Sequence, residues 1–287
     1  ETATALAVLQ AVIIGAVFFI TRRSSRPNST SLHVSAPQPL GTKPRYRATP
    51  LLISATAVLI VASPLVGTIY RSVFINGDLS FSAWRSIFSG SLPSLSVSTQ
   101  SVISTSLIFA IATACCCVPL ALLAAISSAP RSLFSLPLIF SAATLGIGLI
   151  ITFNTSPFAW RSERWFVPVI HAVIALPLVI RALEPATRAI PTSLRNASAT
   201  LGASPFATWV RVELPLLKPA LLRATGLSMA VSLGEFGATS FLSRSGSTTL
   251  PIAIAQLLGR PGAATQQAGF ALAALMVLVT VGVMSRA

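Results

Sequence analysis

The chain has 287 residues, 53% of them hydrophobic and only 9% charged. A soluble domain carries about a quarter charged residues, so the composition excludes a soluble globular protein and predicts an all-α integral membrane protein. The formal net charge of +14 would suggest nucleic acid in a soluble chain. Here the basic residues lie between apolar runs and form no stripe with interleaved aromatics, so they report membrane orientation and no nucleic-acid partner is expected.

Apolar runs of spanning length occur at about 3–20, 50–70, 98–126, 132–153, 165–183, 220–241 and 266–284. A helix needs roughly 20 residues to cross the hydrocarbon core, so about seven transmembrane helices are predicted. The first run starts beside Glu1 with no basic segment before it and no small-residue cleavage site after it, which is not the pattern of a signal peptide. The chain is therefore expected to be a portion of a longer protein. Residues 22–49, rich in Ser, Pro and Arg and without periodicity, read as a flexible cytoplasmic linker. Residues 71–96 read as an external loop, with a turn at Asn76-Gly77-Asp78 and a short interfacial helix around Trp84.

The run 98–126 opens with Ser98, Ser101, Ser104 and Ser106. Two readings stand side by side: these hydroxyls, Ser104 among them, line an interior path, or they bond back to the preceding turn or to neighbouring helices. Cys115, Cys116 and Cys117 are consecutive, so on a helix they cannot converge on one metal, and no second Cys or His cluster completes a zinc site; they read as small packing residues. His171, alone in an apolar run, reads as a hydrogen-bonded packing residue rather than a proton relay.

With the first span running outward to inward, the cytoplasmic segments hold 14 of the 20 Lys and Arg residues and the outer segments six. The positive-inside rule favours this orientation, which puts the polar stretch 184–219 in the cytoplasm. Its grammar is helical: Ile190, Leu194, Ala197 and Leu201 fall at spacings of four, three and four. Gly202 is a helix terminator, and Ser204-Pro205 reads as an N-cap followed by a first helical residue. A second, short helix would then show Phe206, Trp209 and Val210 on one side as an apolar knob, with Leu214-Pro215 closing it.

This stretch resembles the cytoplasmic coupling loop of permease subunits in ATP-binding-cassette (ABC) importers, whose motif is Glu-Ala-Ala, three residues, Gly, nine residues, then Ile-x-Leu-Pro. Asn196-Ala197-Ser198 precede Gly202 by the right three residues, and nine residues later come Val212-Glu213-Leu214-Pro215. The spacing is kept; Asn196 replaces the Glu, Ser198 the second Ala and Val212 the Ile. The resemblance implies a type-1 importer permease domain over 50–287, six of the spans, with residues 1–21 the last helix of a preceding, similar half. It also implies that Asn196, Ala197, Ser198, Gly202, Ala203, Ser204, Pro205, Phe206, Trp209, Leu214 and Pro215 engage an ATPase. The implied partners are a dimer of cytoplasmic ABC ATPases, an extracytoplasmic solute-binding protein, a second permease half in the same chain or as a homodimer, and the lipid bilayer of a bacterial inner membrane.

In "SMAVSLGEFGATSFL" at 228–242, Glu235 lies in an apolar segment between Gly234 and Gly237. An acid within a span is costly and normally faces the interior. Glu235 and Phe236 are expected to line the translocation path; the other reading is a structural carboxylate bonded to a helix end or to Arg244. "SLGEFGAT" followed by "TTLP" at 248–251 is similar to thiamine-type permeases, and its first part recurs in molybdate and sulfate permeases. The fused-half layout adds ferric iron, so thiamine or iron is the expected substrate. The alternatives are a molybdate/sulfate-type permease and an ion-coupled secondary transporter working through Glu235. No GxxxxGK[ST] phosphate loop and no hydrolase or HExxH motif is present, so ATP hydrolysis is assigned to a separate subunit, with no catalytic residues, no metal site and no cofactor in this chain.

Overall fold

The computed structural model describes residues 48–90, 92, 95–127, 134–153, 163–242 and 247–285. The expected first span at 3–20 and nearly all of the linker lie outside the described residues, as does Arg244. In chain order the helices are α1 (Ala48–Val73), α2 (Ser82–Ser89), α3 (Thr99–Ile126), α4 (Ala142–Phe153), α5 (Phe166–Arg188), α6 (Thr192–Thr200), α7 (Pro205–Thr208), α8 (Leu214–Gly234), α9 (Gly237–Leu242), α10 (Leu250–Leu258) and α11 (Ala263–Ser285). A two-strand hairpin pairs β1 (Phe74–Ile75) with β2 (Asp78–Leu79) between α1 and α2. Its turn is the Asn76-Gly77 pair seen in the sequence, both at positive φ (52° and 93°), as a two-residue hairpin turn requires.

The all-α membrane architecture expected from composition is present. Among the described residues, five helices are long and apolar enough to cross a membrane: α1, α3, α5, the continuous stretch Pro205–Gly234, and α11. The run at 132–153 is not a single span. It contains a 3-10 turn at Leu136–Ile139 and the 12-residue α4, about 18 Å long at 1.5 Å per residue. Pro137 has no N–H to give a longer helix, and Ser141 Oγ accepts the Thr144 N–H at 3.1 Å to start α4 afresh. The run at 220–241 is interrupted as well: α8 stops at Gly234 and α9 starts at Gly237.

The centre of the bundle is α3, α5 and α8, each packed on the other two. Small side chains, Cys117 and Ala121 of α3, Ala172 and Ala175 of α5 and Ala224 of α8, meet there beside the larger Val179, Ile180 and Leu183 of α5. Small residues let helices approach closely where lipid offers no hydrophobic drive to associate. Cys117 thus packs as expected, while Cys115 and Cys116 are exposed. A second cluster joins α2, α3, α10 and α11 around Val102, Leu250, Leu257 and Leu272. Ser106 of α3 accepts the backbone N–H of Leu250 at 2.7 Å, satisfying the start of α10 from a neighbouring helix. Helix α1 lies outside this bundle against α11, and its apolar side chains face outward, a surface suited to lipid.

The crossing of α4 over α9 brings backbone close to backbone. A Cβ on Gly146 would stand 3.0 Å from the Ala238 Cα and 3.2 Å from its carbonyl oxygen. Gly146→Val is expected to force the two helices apart at a cost of about 1–3 kcal/mol. The melting midpoint of the purified protein in detergent should fall by a few degrees; an unchanged midpoint would mean that the crossing yields without cost.

Candidate functional site

The polar stretch after α5 begins later than its sequence suggests. Glu184 to Arg188 continue α5, with Glu184 and Arg188 paired at 2.7 Å one turn apart. Pro191 then stands in extended backbone as the N-cap of α6. Ile190 therefore precedes the helix and does not share a face with Leu194 and Ala197, because the residue before a proline is pushed out of helical backbone.

Gly202 ends α6 as the sequence predicts. It holds φ +80°, with its N–H bonded to the Ala199 carbonyl at 3.0 Å and the Ala203 N–H bonded to the Ser198 carbonyl at 3.0 Å. This pair of bonds is the Schellman arrangement, which places C′ in the left-handed region. No atom lies within 4 Å of where a Gly202 Cβ would be, so glycine is needed here for backbone conformation and not for space. Ser204 Oγ accepts the Ala207 N–H at 3.2 Å and Pro205 fills the first helical position, the expected cap.

The turn leaves Leu201 88% and Phe206 76% exposed on adjacent ends of α6 and α7. Val210 is exposed too, but Trp209 is half-buried. The apolar knob is thus Leu201, Phe206 and Val210, with Trp209 beneath it. Leu194 and Ala197, which share the Leu201 face by spacing, are exposed as well, so that face of α6 packs on nothing in this chain.

Leu214-Pro215 does not close the short helix. Between α7 and α8 runs a π-helical turn, Trp209–Glu213, in which the Leu214 N–H reaches the Trp209 carbonyl. A π-turn shifts the hydrogen-bond ladder by one residue, and here it falls where Pro215 has no N–H to donate. The helix passes through both features, and Pro205 to Gly234 form one 30-residue rod.

Arg195 of α6 clamps this rod. Its Nε donates to Glu213 Oε1 at 2.7 Å and its Nη2 to Glu213 Oε2 at 2.9 Å. Glu213 is buried while Arg195 remains half-exposed. The carboxylate beside it raises the Arg195 guanidinium above its ordinary pKa. Thus a cation next to Asn196 ties the loop together, although position 196 itself lacks the motif carboxylate. The pair was not read from the sequence; only an Arg and a Glu 18 positions apart on facing sides of a predicted helical turn could have hinted at it.

At the other end of the rod, Glu235 occupies the break before α9. Its Oε1 accepts the Ala238 N–H at 2.8 Å, so its carboxylate caps α9. Glu235 is half-buried and Phe236 is exposed. Ser104 Oγ donates to the Ser101 carbonyl at 3.1 Å, a bond within its own helix. Thr113 is the residue of α3 that reaches Ser232 at the end of α8; it lies about 13 Å along α3 from Ser104 at 1.5 Å per residue. Among the described residues no hydrogen bond joins Ser104 to Glu235 or Phe236, and no group of three or more His, Cys, Asp or Glu residues could hold a metal ion.

No family model matches the chain. The chain is 32% identical over 153 residues to PhnV of Salmonella typhimurium, a permease protein named for a 2-aminoethylphosphonate transport system, covering 53% of this chain and 57% of that protein. It is 34% identical over 156 residues to the molybdenum transport system permease protein ModB of Haemophilus influenzae, covering 50% of this chain and 68% of ModB. The chain thus spans 57% of the length of PhnV. Its fold matches a chain in the crystal structure of a bacterial alginate ABC transporter in complex with an alginate pentasaccharide-bound periplasmic protein, with a TM-score of 0.63 over 83% of this chain and 91% of that one, at 15% identity.

Proposed function

We propose, from the premise that this chain belongs to the permease family of ABC transporters, that it forms one half of the translocation path of an ATP-driven importer for a small oxyanion. It is a permease and not an enzyme, a multi-pass protein of the bacterial inner membrane. The thiamine and ferric-iron substrates expected from the "SLGEF" and "TTLP" stretches and the fused-half layout find no support, since these relatives are named for phosphonate and molybdenum systems. The molybdate/sulfate-type alternative is the one retained.

The observation that carries the mechanism is the exposed knob on a continuous rod. Leu201 and Phe206 stand out at the N-terminal end of the helix whose other end is the Glu235 break. In this reading the knob, with Gly202, Ser204 and Pro205 setting its shape, docks in a groove of a cytoplasmic ATPase. Closure of an ATPase dimer draws two such loops together. Because Pro205 to Gly234 is one helix, that movement tips the span and opens the path toward a loaded solute-binding protein, a rigid-body form of alternating access. A second permease half supplies the second loop. Glu235 and Phe236 form part of the path. The carboxylate of Glu235 points at the α9 N-terminus, which leaves Phe236 and the broken backbone to face an anion. An ion-coupled transporter would use Glu235 but gives the exposed knob no task.

The test is uptake in a strain lacking the full-length gene. Labelled molybdate, 2-aminoethylphosphonate, thiamine and ferric iron are offered with ATP depleted or with the proton gradient collapsed. Loss of an oxyanion uptake that depends on ATP is expected. Loss of thiamine or iron uptake alone would overturn the substrate class, and dependence on the proton gradient alone would overturn the ATP coupling.

A further inference from the structure

His171 of α5 is fully enclosed in the bundle. Its Nδ1 lies 2.8 Å from Ser232 Oγ in the last turn of α8, and its Nε2 lies 2.7 Å from Thr239 Oγ1 in α9. These partners stand on either side of the Glu235–Phe236 break. Behind them, Thr113 Oγ1 of α3 lies 3.2 Å from Ser232 Oγ and 3.2 Å from the Pro168 carbonyl of α5. His171, Ser232, Thr239 and Thr113 are all buried.

A neutral imidazole offers one N–H and one lone pair, and a hydroxyl can meet either. Both ring nitrogens are therefore satisfied in either tautomer, without a charge. In a water-poor interior such bonds are strong, and removing one partner orphans the other. A histidine bonded within one helix would be a satisfied packing residue. This one joins α5 to both sides of a chain break. On the α8 side Ser232 is held by Thr113 as well as by His171, while a Cβ on Gly234, next to the break, would meet nothing within 4 Å. On the far side, α9 is pressed against α4, with Gly237 and Ala238 in contact with Ala142 and Gly146.

We infer that His171 is a positioning residue for translocation. It bridges the two ends of the break so that a tilt of α8 is passed on to α9 and α4, and the Glu235–Phe236 turn keeps its place relative to α5. The inference rests on the proposed reading of that turn as part of the path.

The experiment uses the full-length permease with its ATPase and binding protein in liposomes, with Cys115, Cys116 and Cys117 replaced by Ala. Spin labels at Ser240→Cys on α9 and Arg181→Cys on α5 report the distance between α9 and α5, and molybdate moved per ATP hydrolysed reports coupling. His171→Phe is expected to broaden the distance distribution and lower the transport-to-hydrolysis ratio by about tenfold, with ATPase association retained. Thr239→Val, which removes one bond and leaves the ring, should give part of both effects. Added to His171→Phe it should give no more. An unchanged ratio in both variants overturns the inference, whether or not the distances broaden. Phe236→Asp, scored for uptake in parallel, separates the two readings. If it leaves transport intact, the path reading fails. If it stops transport while His171→Phe leaves the ratio unchanged, only the bridge fails.

Discussion

A Phe206→Asp permease is expected to reach the membrane at the normal level and to lose both ATPase association and ATP-driven uptake, by about a hundredfold. Phe206 is 76% exposed at the tip of the loop, so within this chain its ring supports almost nothing, and surface substitutions of that kind change stability by less than about 0.5 kcal/mol. In a partner's groove the same ring would be a buried aromatic anchor, the side-chain type that dominates interface energies. An aspartate there would lose the apolar contact and would also have to shed its hydration with no cation facing it. Phe206→Leu should retain most of the association because it keeps an apolar knob, and Leu201→Asp should weaken it because Leu201 stands beside it on the same outward surface. Co-purification of the ATPase with the tagged permease measures all three. Undiminished association in Phe206→Asp would remove the coupling role from this loop.

The second large effect is expected at the clamp. Arg195→Ala leaves the buried Glu213 carboxylate without the two donors that now hold it at 2.7 and 2.9 Å. Because Arg195 is half-exposed, solvent screens much of the charge attraction. The loss of hydrogen bonds to a buried carboxylate remains, at about 1–3 kcal/mol. That energy now holds α6 against the π-turn, so its loss should loosen the knob and reduce ATPase association by about tenfold. Arg195→Lys should recover only part, since an ammonium lacks the planar fork that meets both oxygens at once. The Arg195→Ala/Glu213→Ala double variant should be milder than Arg195→Ala alone, because no orphaned carboxylate is left behind. Equal or greater damage in the double variant would show that the pair acts through something other than the burial of Glu213.

These two sites sit at one end of a helix whose far end is the Glu235 break. At 1.5 Å per residue, the 30 residues from Pro205 to Gly234 span about 45 Å. A lever of that length makes small displacements at the knob matter at the break, and a loop closed at Leu214-Pro215 would not have supplied it. The π-turn is thus more than a local irregularity. It lets α7 and α8 run on as one helix despite a proline at their junction.

The sequence by itself determined the features that depend on neighbouring residues. Composition and unbroken apolar runs of spanning length made the chain a helical membrane protein, since such a run satisfies all its own backbone groups in lipid only as a helix. Gly202, Ser204-Pro205 and Asn76-Gly77 fixed a helix end, a helix start and a hairpin turn, because each rests on the backbone preferences of one or two residues. The tertiary structure alone decided what happens where distant groups meet. Whether Pro215 ends a helix or is absorbed by a π-turn depends on what surrounds it. Spacing puts Leu194, Ala197 and Leu201 on one face of a helix, and only the packed structure shows that this face is left exposed. Arg195 finds Glu213 across a loop, and His171 finds hydroxyls 61 and 68 positions away. A buried polar group must be paired wherever the packing brings a partner, and only the packed bundle shows which one.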